Sequence, residues 1–233
     1  MNHDVHDGPD ALVDALNAAL ADVVREAQAE GRTPSVVLTG GTIATRAFER
    51  MDPDAADWSD VDWYWGDERF VAGDSEDRNE RQARESFLDR LDVPEERIHA
   101  FPSTDGGLSA AEAADAYAAV LPTDPFDVVL LGVGPDGHVA SLFPGFAQLH
   151  ETVRPVVDVE DSPKPPPNRL TLTFPVLNHT RRTWLVVSGE GKAEAVARAA
   201  AGEPVTEVPA TGVHGTQETR WFLDTDAASQ LPA

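Results

Sequence analysis

Apolar residues recur at Leu12, Leu16, Leu20, Val23 and Ala27, the three-to-four-residue period of an amphipathic helix. Gly8-Pro9 ahead of this run and Gly31 behind it are start and stop signals. A β-branched run at 35–38 predicts a short strand, and Thr39-Gly40-Gly41-Thr42 leads from it into a helix reaching about residue 50. Residues 61–65 predict a second strand closed by Gly66, followed by an amphipathic helix over 80–91, a short strand over 97–101 and an alanine-rich helix over 109–121. The run FDVVLL at 126–131 has no polar face beyond Asp127, which predicts a strand buried on both sides. Strands over 153–159, 183–187 and 221–223 and a helix over 191–201 complete the series, with four prolines making 161–168 an extended loop. Strands alternating with helices along the whole length predict one α/β domain over 1–233, a mainly parallel sheet with helices on both faces.

Composition narrows the function. Of the 233 residues 41% are hydrophobic and 25% charged, as in an ordinary globular protein, so bulk disorder is excluded. Acidic residues outnumber basic ones 41 to 18, a formal charge of −23. Such a surface repels nucleic acid and anionic lipid, and neither is an expected partner. There is no cysteine, hence no disulfide, thiolate metal site or cysteine nucleophile. No histidines are spaced as a metal-binding pair, and no metal is expected. The first ten residues lack the basic and apolar regions of a signal peptide, and no apolar run approaches the ~18 residues of a membrane span. The expectation is a cytoplasmic protein.

Three segments carry candidate chemistry. Thr39-Gly40-Gly41-Thr42, between a strand and a helix, offers unpaired N–H groups and room for an anion to approach the backbone, although a plain tight turn has the same residues. The segment GVGPDGH at 132–138 formally matches the G-x-G-x-x-G dinucleotide fingerprint. Its chemistry does not fit: Pro135 has no N–H for a pyrophosphate, and Asp136 would set a carboxylate against one. The segment does place His138 two residues from Asp136 at the carboxyl end of a strand, where ligands bind in open parallel sheets. Histidine titrates near neutral pH, which suits a general base oriented by a carboxylate. Asp67-Glu68-Arg69 also follows a strand, though such a triplet elsewhere is a solvated loop. The only two lysines, Lys164 in the proline loop and Lys192 at a helix start, both lie beside strand-terminal loops. Each is either a surface cation or an anion ligand.

Taken in order, WGDERFV at 65–71, DRN at 77–79, GVGPDGHVASLFP at 132–144, KPPPNRLT at 164–171, SGEGK at 188–192 and WFLD at 221–224 resemble the 6-phosphogluconolactonase family over nearly the whole chain. The resemblance implies a single Rossmann-like α/β domain that hydrolyses 6-phospho-D-glucono-1,5-lactone, the second step of the oxidative pentose phosphate route, without a cofactor. It implies catalytic roles for His138, Asp136, Asp67 and Arg69. His138 would serve as base, Asp136 would orient it or bind a sugar hydroxyl, and Arg69 or a backbone N–H would meet the oxyanion. Gly40, Gly41, Thr42, Arg169 and Lys192 would bind the phosphate. The related hexosamine-phosphate deaminases share the glycine turn and the Asp-Gly-His core. They carry a tyrosine where this chain has Arg69 and a glutamate where it has Phe143. A non-catalytic sugar-phosphate-binding module is the third reading, with His138 against it. Thr39 and Val139 depart from the commonest lactonase residues, serine and threonine. The −23 charge then predicts a small positive pocket in an acidic shell, with Lys192 and Arg169 on the His138 side.

Overall fold

The computed structural model describes residues 2–232; Met1 and Ala233, the ends of the expected 1–233 domain, lie outside that range. All six residues of β5 (Phe126–Leu131) are buried, which happens only in a strand covered on both faces. β5 pairs in parallel with β2 (Ser35–Leu38) on one side and β8 (Thr180–Val187) on the other. The sheet continues, parallel throughout, to β3 (Asp62–Trp65) beyond β2, and to β9 (Glu218–Asp224) and then β1 (Asn2–His6) beyond β8. Its order is β1-β9-β8-β5-β2-β3.

The chain leaves β2 toward β3 on one side, and leaves β5 toward β8 and β9 on the other. The order therefore reverses between β2 and β5, and the carboxyl ends of these strands flank the crevice where open α/β sheets take ligands.

Helices seal the faces for reasons visible in their sequences. α1 (Pro9–Ala29) buries Leu12, Leu16, Leu20, Val24 and Ala27 along one stripe, starts with proline in its first turn and packs on β9 and α2 (Thr42–Glu49). Gly31 then takes φ +71, a left-handed conformation that releases the chain toward β2. α4 (Ala110–Ala118) starts with a capping box in which Ser109 and Glu112 satisfy each other's backbone N–H groups. α5 (Phe174–Leu177) is a single turn, and α6 (Ala193–Ala200) follows directly on Lys192. Four tryptophans, at 63, 65, 184 and 221, are fully buried. No helix among the described residues is long and apolar enough to cross a membrane.

A second sheet corrects the sequence reading. β4 (Asp67–Arg69), β7 (Arg169–Leu172) and β6 (Val156–Val159) form an antiparallel sheet in the order β4-β7-β6, with Asp67 opposite Thr171 and Arg69 opposite Arg169. The charged triplet at 67–69 is thus a buried strand rather than a loop. The strand expected over 153–159 is shorter and belongs to this sheet. The short strand expected over 97–101 reduces to one bridge between Ile98 and Trp63, after a tight turn over Glu95–Arg97. The helix expected over 80–91 is α3 (Asn79–Ala83), which widens into a π turn over Arg84–Leu88. β1 has no counterpart in the hydrophobic pattern because its residues, at a sheet edge, are half-exposed and polar.

Candidate active site

The loops after β2, β4, β5 and β8 converge on a cleft of about 530 Å³. Gly40, Gly41, Thr42, Asp67, Arg69, His138, Lys164, Arg169 and Lys192 all line it. Its two central loops are joined directly, since the Gly132 N–H donates to Thr39 Oγ1 at 3.2 Å across the switch point.

The turn after β5 is closed by bonds from Gly134 N to the His138 carbonyl and from Gly137 N to the Gly134 carbonyl, both 2.9 Å, with Gly137 at φ +84. This folds the Asp136 side chain onto the imidazole, with Asp136 Oδ1 2.5 Å from His138 Nδ1. In this geometry the Nδ1 N–H donates to the carboxylate, and Nε2 is left as the acceptor. Burial alone would raise the Asp136 pKa, but the hydrogen bond and charge of His138 outweigh it and hold the carboxyl at about 2. The imidazole centroid lies 4.7 Å from that of the Phe143 ring, the two rings tilted at 47°, and Phe143 is 1% exposed.

On the opposite wall, Gly41 at φ +103 caps α2 and leaves the first N–H groups of that helix open to the cleft. Gly40 is pinned from behind, since a methyl there would overlap the Asn79 amide. Asn79 donates to the Asp67 carbonyl at 2.9 Å. The Asp67 carboxylate accepts from Ser141 Oγ at 2.6 Å, and Arg169 Nη1 stands 3.8 Å away. Glu68 is wholly buried and accepts the N–H groups of Arg69, Asn79 and Glu80. Burial pushes its carboxyl up to about 7, with Arg78 and those three N–H groups pulling the other way.

The cations differ in what they are free to do. Lys192 Nζ donates to the Val133 carbonyl at 2.7 Å, and burial, with Lys164 nearby, lowers its pKa. The turn that carries it is held by Asp224, which accepts from Ser188 Oγ at 2.5 Å and from Gly189 N at 3.0 Å. Arg169 is 6% exposed; its Nε donates to the Pro166 carbonyl at 2.8 Å, and Nη2 to the carbonyls of Lys164 and Pro165 at 3.2 and 3.1 Å. Arg69 donates to the Asp77 carbonyl. Sequence reasoning does not point to Arg46, which lines the cleft one helical turn after Thr42 and pairs with Asp10 at 2.6 Å. The i, i+4 spacing from Thr42 on α2 is the signal that would find it. Asn79 and Ser141 lie within the blocks at 77–79 and 132–144, but no local spacing marks their roles, because their partners come from other elements.

Comparison with known proteins bears on this arrangement. A profile of the family described as glucosamine-6-phosphate isomerases and 6-phosphogluconolactonase matches residues 7–221. The chain belongs to that family. Every candidate residue falls within the matched span. Among members, the 6-phosphogluconolactonase of Mycobacterium tuberculosis is 44% identical over 236 residues, covering 96% of each chain. The crystal structure of the Thermotoga maritima 6-phosphogluconolactonase superposes with a TM-score of 0.86 at 27% identity, covering 96% of this chain and 99% of that one. A monomeric glucosamine-6-phosphate deaminase shares the fold at a TM-score of 0.83 and 20% identity, covering 99% of this chain and 100% of that one. The family's shared fold thus accommodates both chemistries, and the side chains of the cleft must separate them.

Proposed function

We propose that this protein hydrolyses 6-phospho-D-glucono-1,5-lactone to 6-phospho-D-gluconate, with His138 as general base, at the second step of the oxidative pentose phosphate route. The observation that carries the reading is the Asp136–His138 pair, bonded at 2.5 Å in a cleft that also holds both lysines. His138 Nε2 takes a proton from water as its oxygen bonds to C1, and the carbonyl electrons move onto oxygen. Collapse of that oxyanion breaks the bond from C1 to the ring oxygen, which receives the proton from the imidazolium. Asp136 holds the ring in the productive tautomer. Asp67, fixed by Ser141, lines the cleft on the His138 side, and Arg69 lines it toward the glycine turn.

The phosphate belongs on the glycine-turn side. Gly40, Gly41 and Thr42 offer N–H groups and the positive end of α2, and Lys192 supplies charge. Arg169 adds charge and holds the proline loop in place.

Phe143 separates the lactonase reading from a hexosamine-phosphate deaminase. Deaminases resemble this chain but carry a glutamate at that position, and a phenyl ring cannot shuttle the protons of ring opening and amine loss. Two assays test the reading: 6-phosphogluconate formation from the phospholactone above its spontaneous rate, and ammonia release from glucosamine 6-phosphate. The first should be positive and the second blank; the reverse result would overturn the proposal.

Gly134 provides an independent check on the base. A methyl at Gly134 would overlap Nδ1 and Cε1 of His138 and Oδ1 of Asp136. Gly134→Ala is expected to lower kcat/KM on the order of 10²-fold, the usual cost of misplacing a reacting group by about 1 Å. Near-wild-type kcat/KM in a folded Gly134→Ala protein would argue against a role for the dyad.

A further inference from the structure

Both lysines of the chain face one cleft, yet the structure brings them there by different means. Lys192 is tied down through its own ammonium, which bonds the Val133 carbonyl. Lys164 is placed through its backbone. Arg169 bonds the carbonyls of residues 164, 165 and 166 in succession. Ser162 Oγ bridges the N–H and carbonyl of Lys164 at 3.3 and 3.0 Å. Among the described residues the Lys164 ammonium donates to no protein group. A clamped backbone carrying a free, half-buried ammonium into a cleft is the arrangement of a ligand-binding cation.

Its neighbours say which end of the ligand it meets. Arg69 and Arg46, with Gly41 and Thr42, also border a second, open depression of about 840 Å³, which puts them on the glycine-turn side. Lys164 and Lys192 border only the main cleft, and both stand near enough to Asp136, the partner of His138, for their charges to couple to it. Of the two, Lys192 is already bonded to the Val133 carbonyl, and Lys164 is the cation on that side whose ammonium is free. We propose that Lys164 is the substrate cation at C1: its ammonium meets the negative charge that forms on the carbonyl oxygen and stays with the product carboxylate. The inference rests on the lactonase reading.

Charge balance gives the reason such a cation is needed. Hydrolysis leaves the phosphate unchanged and releases one proton as the new carboxylic acid ionises, so one negative charge appears at C1 alone. Cations on the phosphate bind substrate and transition state equally, whereas a cation at C1 favours the transition state. In a chain at −23 that charge must be met by a local group.

The test compares two ligands that share a phosphate and differ at C1: 6-phosphogluconate, with its carboxylate, and D-glucitol 6-phosphate, without one. Binding to wild-type, Lys164→Gln and Lys164→Arg proteins would be measured by calorimetry, beside kcat and KM for the lactone. Losing one charge-assisted hydrogen bond should weaken 6-phosphogluconate about tenfold or more in Lys164→Gln and leave glucitol 6-phosphate within about twofold. The same variant should lower kcat about 10- to 100-fold with KM within about threefold, and Lys164→Arg should recover part of both losses. Equal losses for the two ligands would make Lys164 a phosphate cation and overturn the assignment, as would no loss for either. If Lys164→Gln fails to fold, Lys164→Met, which keeps the length of the side chain without its charge, carries the same expectation: loss of 6-phosphogluconate affinity with glucitol 6-phosphate unchanged supports the assignment, and equal loss or none overturns it. A wild-type protein that binds glucitol 6-phosphate without hydrolysing the lactone would instead overturn the lactonase reading, whatever the variants do.

Discussion

Replacing His138 with alanine should lower lactone hydrolysis about 10²- to 10⁴-fold, the contribution a positioned general base makes to a proton transfer of this kind. The imidazole is held on three sides: by Asp136 at Nδ1, by the Phe143 ring 4.7 Å away, and by the turn that returns its own carbonyl to Gly134. The measurement is a continuous lactone assay with the spontaneous rate subtracted, together with a circular-dichroism melt to show that the fold survives. A folded His138→Ala protein retaining most of its activity would remove the general-base assignment.

The second large effect belongs to Lys192. A charged hydrogen bond to a phosphate contributes about 1.5–3 kcal/mol, so Lys192→Ala should cost about 10- to 150-fold in kcat/KM with the phosphorylated lactone. The lysine also donates to the Val133 carbonyl, and truncation frees that carbonyl too. Unphosphorylated gluconolactone separates the two contributions. The backbone contribution affects both substrates alike, and the phosphate contribution affects only one. Discrimination between the lactones should therefore fall in the variant by about the same 10- to 150-fold. If both substrates lose activity by the same factor, Lys192 is a structural tie and the phosphate is held elsewhere.

What the chain discloses before folding is set by how far each relationship reaches. The parallel sheet is legible because alternation of strands and helices is a local pattern, and FDVVLL marks the buried centre without reference to anything distant. His138 and Asp136 are legible because two residues separate them and glycines surround them. The second sheet is not. Asp67, Glu68 and Arg69 have no apolar signal, and they are tolerated inside the protein only because Ser141, Asn79 and the Asp77 carbonyl arrive from elsewhere to satisfy them. Arg169 shows the same limit from another side. A basic residue closing a proline loop reads as a free cation, whereas three of its bonds go to the loop itself. The lysines fall between these cases: their scarcity in a chain with 18 basic residues makes both conspicuous, but only the folded cleft assigns them different neighbours.

Phe143 bears on descent as well as on catalysis. It is packed between the imidazole and Phe146, whose ring lies 5.6 Å away, and is almost wholly enclosed. A glutamate put there would be desolvated among aromatic rings and its pKa driven up, so a neutral acid would stand in place of packed hydrocarbon. A lineage that put an acid at this position would lose aromatic packing directly beside the imidazole. Position 143 is thus tied to the packing of both His138 and Phe146, and an acid there would need its neighbours to change with it.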